Sequence, residues 1–88
     1  MAKKTVALAD VRQALADVGK SRVRELSDEE LLEKHLWSDL ELYPEEISDV
    51  FYSLKEKGLS VNHQLEKELS AGRDMSVRQF IRSAALNS

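Results

Sequence analysis

Apolar residues recur along this chain at helical spacings, and capping residues or glycines punctuate the runs. Leu8, Val11, Leu15 and Val18 fall three and four positions apart with Ala14 on the same side, and Gly19 follows as a left-handed stop. An amphipathic first helix is expected there. Ser27-Asp28-Glu29-Glu30 then reads as a capping box, in which the Ser27 hydroxyl and the Glu30 carboxylate satisfy backbone donors reciprocally. Leu26 and Leu31 supply the hydrophobic staple, and a short helix is expected from Asp28 to Trp37.

The next start signal is stronger. Pro44 has the fixed φ and missing N–H that suit a first helical position, and Glu45 and Glu46 complement the positive end of the helix dipole. Ile47, Val50, Phe51 and Leu54 form the inward stripe, with Lys55 and Lys57 in the last turn before Gly58. The opposite side carries Glu45, Asp49, Tyr52 and Glu56. Ser60 or Asn62 then caps a short helix through Leu69, with Leu65 and Leu69 inward and Gly72 after it. Ser76-Val77-Arg78-Gln79 is a second capping box, stapled by Met75 and Phe80, and the stripe Val77, Ile81, Ala84 continues until the helix frays near Leu86. No stretch alternates with period two between hairpin turns, so no sheet is expected.

These elements predict an all-α fold, with residues 1–88 as a single domain. At 88 residues the chain hides about 60–65% of its unfolded surface, room for one small core. Trp37, Phe51 and Phe80 are expected to fill it. The chain has no cysteine, which excludes a disulfide staple, a thiol nucleophile and a thiolate metal site. The segment Thr5 to Val18 is too short, and too often interrupted by Asp10, Arg12 and Asp17, for a signal or a membrane span, so a cytoplasmic location is expected.

Charge is unevenly distributed. Residues 27–58 carry three Lys/Arg against ten acids, whereas the flanking segments are mildly basic. An acidic middle argues against general nucleic-acid binding and favours a partner with a basic surface. Catalytic signals are weak. His35 and His63 are far apart and lack metal-ligand spacing, and the pairs Glu29-Glu30 and Glu45-Glu46 occupy first helical turns, where dipole complementarity accounts for them. No enzyme activity, metal or cofactor is expected.

The segment Asp39-Leu40-Glu41-Leu42-Tyr43-Pro44-Glu45 and the order of helices resemble acyl and peptidyl carrier proteins. Asp39-Leu40 is similar to the family's Asp-Leu pair before the cofactor turn. Leu54 through Val61 resembles the family's passage into its third helix, and Met75 to Ile81 resembles the start of its last. The resemblance implies a small four-helix acyl-carrier-like bundle, with a long, partly helical loop between the first and second main helices. It also locates a departure. The family's Asp-Ser-Leu, whose serine carries phosphopantetheine, aligns with Tyr43-Pro44-Glu45, and all three positions differ. Proline offers no hydroxyl for a phosphodiester, so the resemblance implies a carrier-like domain without its arm.

The expected site is therefore a surface. Tyr43, Glu45, Asp49, Tyr52 and Glu56 are the candidate partner-binding residues, facing a protein of lipid or polyketide-type biosynthesis. Two alternatives stand beside this reading. One is modification at a non-standard serine, Ser38 or Ser48. The other is a small helical nucleic-acid-binding regulator using Arg73, Arg78 and Arg82, of which the last two lie one helical turn apart.

Overall fold

The structure, a computed structural model, describes residues 6–59 and 61–85. Five α-helices and one 3-10 turn follow in order: α1 (Leu8–Asp17), the 3-10 turn (Ser21–Glu25), α2 (Asp28–Glu33), α3 (Pro44–Glu56), α4 (His63–Ser70) and α5 (Val77–Ala85). Helix α1 packs on α3, α3 on α4, and α2 on α5. Ser60, the alternative cap of α4, and Leu86, the expected end of α5, lie outside the described residues.

The inward stripes meet in one apolar core. Val11, Ala14 and Leu15 of α1 join Ile47, Val50, Phe51 and Leu54 of α3, Leu65 and Leu69 of α4, and Val77, Phe80 and Ala84 of α5. Phe51 and Phe80 cross edge to face with ring centroids 5.8 Å apart, tying α3 to α5 at the centre. Each of the buried valine, leucine, isoleucine and phenylalanine side chains contributes roughly 1.5–3 kcal/mol of transfer free energy. Leu8, Val18 and Ile81 pack at the rim of this core. Among the described residues it contains no buried polar or charged side chain.

Helix ends follow the capping chemistry. Ser27 Oγ accepts from the Glu30 amide and the Glu30 carboxylate accepts from the Ser27 amide, which closes the first box and holds the Glu30 carboxyl below its ordinary range. The second box is half made. Ser76 Oγ caps the Gln79 amide, while the Gln79 side chain reaches forward to Ser83 Oγ. Asn62 caps α4 through the Gln64 amide. At the C-terminus of α3, Gly58 takes φ 77°, and the amides of Gly58 and Leu59 bond back to the carbonyls of Lys55 and Leu54. That is a Schellman stop, and the same pair of bonds follows α1 and α4.

One expectation about the connecting segment needs correction. Helix α2 ends at Glu33 and does not reach Trp37. The reason is tertiary: Lys34 is extended (φ −75°, ψ 140°), and its carbonyl accepts from the Val77 amide at 2.8 Å. With the Leu36 amide donating to the Met75 carbonyl at 2.8 Å, this makes an isolated antiparallel bridge between His35 and Ser76. No strand forms among the described residues, but this one pairing was not expected.

Arg12, an interruption in the apolar pattern of α1, fastens the other half of the segment. Its guanidinium donates to the carbonyls of Val23 and Leu26, the latter at 2.7 Å, and to Asp28 Oδ1 at 2.8 Å. One planar fork thus closes the 3-10 turn and the start of α2 against α1.

Replacing Arg12 by Ala should lower stability by about 2 kcal/mol, the scale of charge-assisted hydrogen bonds to part-buried carbonyls. Arg12→Lys should recover less than half, because an ammonium cannot span three acceptors in one plane. Urea unfolding with an unchanged slope is the measurement. Glu41 is the one non-glycine residue with positive φ (55°) among those described, so Glu41→Gly should raise stability by up to about 1 kcal/mol by the same method.

Candidate functional site

The start of α3 is built from the loop before it. Leu36 and Leu42 are buried, and the Leu42 amide donates to the Leu36 carbonyl at 2.8 Å, so residues 36–42 close into a compact turn. The amides of Asp39 and Leu40 both return to the His35 carbonyl, and the Asp39 carboxylate accepts from the His35 amide. The chain then enters α3 through Tyr43, whose amide is capped by Glu46 Oε1 at 3.0 Å. Pro44 occupies the first helical position.

Asp74, just before α5, holds this turn from the far side of the bridge. One carboxylate oxygen accepts from the Trp37 amide at 2.8 Å; the other accepts from the Ser38 hydroxyl and lies 3.6 Å from His35 Nδ1. Partial burial acts to raise the Asp74 pKa. The Ser38 hydroxyl, the Trp37 amide and His35 outweigh it, and the carboxyl titrates below its ordinary value.

Trp37 does not fill the core, contrary to expectation. It is 41% exposed: Leu36 is buried beside the bridge, and the Trp37 amide is held by Asp74 in the turn that follows, which leaves the ring on the outer side. Its ring meets Tyr43 edge to face at 5.0 Å. Tyr43, 42% exposed, also lies beneath Lys20, whose Nζ is 5.6 Å from the ring centroid and 3.1 Å from Glu46 Oε1. Of the candidate residues, Tyr43 therefore belongs to an aromatic edge shared with Trp37.

The other four form a separate stripe. Glu45, Asp49, Tyr52 and Glu56 are all exposed along one side of α3, Tyr52 at 65%. The Tyr52 phenol bonds to Glu56, and that bond with the glutamate charge raises its pKa. The lysines of the helix are drawn off this side. Lys55 pairs with Glu66 of α4 at 3.4 Å, and Lys57 approaches Asp17 of α1 at 3.8 Å. Asp17, which also accepts from Gln13 and from Ser53 Oγ, titrates below its ordinary value for those reasons. No lysine or arginine pairs with Glu45 or Asp49 among the described residues, so the stripe is left negative.

Several of the remaining candidates have partners within the fold, while Ser48 and Arg82 are exposed. Arg73 pairs with Glu68 at the end of α4, and Arg78 pairs with Glu33 of α2 at 2.7 Å, so two of the three arginines proposed for nucleic acid have carboxylate partners within the domain. Ser38 gives its hydroxyl to Asp74, whereas Ser48 is exposed within α3. His63 is 3.9 Å from Glu66, and no described cluster of three or more His, Asp or Glu residues has the arrangement to hold a metal ion. A cleft of about 400 Å³ opens between the 3-10 turn and residues 34–41. Lys20, Arg22 and Lys34 line it together with Glu25, Asp39 and Glu41, so its charge favours neither sign.

Comparison of the chain with protein families, with curated proteins and with solved structures returns no match. Among the described residues, no helix is long and apolar enough to cross a membrane.

Asp74→Ala should destabilise the domain by about 1–2 kcal/mol at neutral pH by removing the acceptor of two hydrogen bonds. Because the folded-state pKa of Asp74 lies below its unfolded value, this contribution is complete above about pH 4 and is lost as pH falls through the folded value. The stability difference between wild type and variant, followed by urea unfolding from pH 7 downwards, should stay constant and then close under acid conditions.

Proposed function

We propose that this chain is a non-catalytic, acyl-carrier-like domain that acts by presenting the acidic side of α3 to a protein with a basic surface. In this reading the four main helices α1, α3, α4 and α5 correspond to those of a carrier bundle. The 3-10 turn and α2 correspond to its long loop, and Pro44 stands at the position of the attachment serine. The partner is an enzyme of lipid or polyketide-type biosynthesis, and the domain works as an adaptor or regulatory subunit with no covalent arm.

The observation that carries the reading is the combination at α3. The helix start is well made, with Pro44 first and Glu46 returning to cap Tyr43, yet it offers no hydroxyl there for a phosphodiester. Beyond it, Glu45, Asp49, Tyr52 and Glu56 stay exposed while Lys55 and Lys57 are paired with other helices. Exposed carboxylates of one sign with a partly exposed tyrosine suit recognition of a basic surface, through steering first and close contact afterwards.

Two measurements test this. Incubation with coenzyme A and a broad-specificity phosphopantetheinyl transferase should leave the intact mass unchanged; a full phosphopantetheine increment would sink the arm-less reading and direct attention to Ser38 or Ser48. Affinity capture from a lysate of the source cells should retain a basic biosynthetic enzyme with the native chain and lose it with Glu45→Lys combined with Asp49→Lys. Capture unaffected by that charge reversal would refute the assignment of the surface.

A further inference from the structure

Trp37 and Tyr43 form an exposed aromatic edge at the head of the acidic stripe, 41% and 42% accessible, with their rings packed edge to face at 5.0 Å. Trp and Tyr are enriched at the centres of protein interfaces and among the residues that carry their binding energy. The bridge and Asp74 hold the Trp37 backbone, so the ring is displayed from a fixed base. Little ordering entropy is then lost when a partner covers it.

The surrounding charge states what kind of group belongs there. From Trp37 to Asp49 the chain carries five acids and no lysine or arginine. Among the described residues the cation on the edge is Lys20, which lies over the Tyr43 ring and is paired with Glu46. No lysine or arginine lies over the Trp37 ring among the described residues. Glu45 follows Tyr43 by two residues and is exposed in the first turn of α3. An aromatic face without its own cation, beside exposed carboxylates, complements a flat cation with several donors.

We propose that the Trp37–Tyr43 edge, within the acidic segment from Trp37 to Asp49, receives an arginine side chain of the protein partner and makes the surface prefer arginine to lysine. The inference rests on the reading of α3 as a docking face and adds the partner chemistry that face selects. A guanidinium can stack on the indole with its plane while its edge donates to a carboxylate, and it is more weakly hydrated than an ammonium. Lysine offers the same charge but neither the plane nor the fork. Charge alone would treat the two residues alike, so discrimination reports on the aromatic edge.

The test uses the full chain and two fluorescein-labelled peptides of identical spacing, one carrying arginines and the other lysines at the same positions. Fluorescence polarisation at low salt should give at least about fivefold tighter binding of the arginine peptide, from the usual strength of a partly desolvated cation–π contact. Trp37→Ala should reduce arginine binding to the lysine level and leave lysine binding unchanged; Trp37→Phe should keep part of the preference and shows that the ring, not loss of folding, is responsible. Far-UV circular dichroism checks the fold of both variants. Equal affinity for the two peptides, or a preference that survives Trp37→Ala, overturns the proposal. If both peptides still bind and both are lost on Glu45→Lys with Asp49→Lys, that failure leaves the acidic-face reading standing. If neither peptide binds, or binding ignores the charge reversal, the two fall together.

Discussion

The architecture depends on one long-range backbone pairing. Lys34 and Leu36 exchange hydrogen bonds with Val77 and Met75, and everything near the start of α3 is placed by that contact. It ends α2, because a residue paired in an extended conformation cannot continue a helix. It turns Leu36 into the core and Trp37 out of it, and it brings Asp74 within reach of the Trp37 amide and the Ser38 hydroxyl. The core itself is wholly apolar among the described residues, and apolar packing tolerates sliding and substitution better than directional bonds do. The directional pairing therefore sets the register that hydrophobic contact leaves loose.

Surface charge is organised by the same helices that form the core. Lys55 and Lys57 sit near the end of α3, where they complement its dipole, yet they also reach across to α4 and α1. Exposed pairs of this kind contribute little to stability, typically below about 1 kcal/mol. Their larger effect is on what is left behind. Positive charge is removed from the outer side of α3, and Glu45 and Asp49 remain unneutralised for whatever approaches. Stability and recognition are thus served by different faces of one helix.

Legibility in the sequence followed the range of the interactions. Helix starts at Ser27, Pro44 and Ser76, the stops at Gly19, Gly58 and Gly72, and the inward stripe of α3 were all readable, because each depends on residues a few positions apart. Trp37 was misread for the opposite reason: a large aromatic residue is a good core candidate until a partner forty residues away turns its neighbour inward. Arg12 was passed over as an interruption, although a lone arginine on the flank of an apolar helix signals carbonyls to be satisfied nearby. The exposure of Glu45, Asp49, Tyr52 and Glu56 followed from helical periodicity alone. The aromatic edge did not, since the meeting of Trp37, Tyr43 and Lys20 depends on how the loop folds over the head of α3.

The glycine stops after α1, α3 and α4 have a consequence for how the chain folds. Each reverses direction with bonds spanning five residues or fewer, so most of the course of the chain is written locally and helices can pair soon after they form. A larger entropic demand falls on the closure that joins residue 34 to residue 77, the longest backbone pairing among the described residues. Loop-closure entropy grows only as the logarithm of loop length, so a single long closure is less demanding than its span suggests. The surface at the head of α3 is thus set by a distant contact and not by its own helix, since the bridge fixes the loop that carries Trp37.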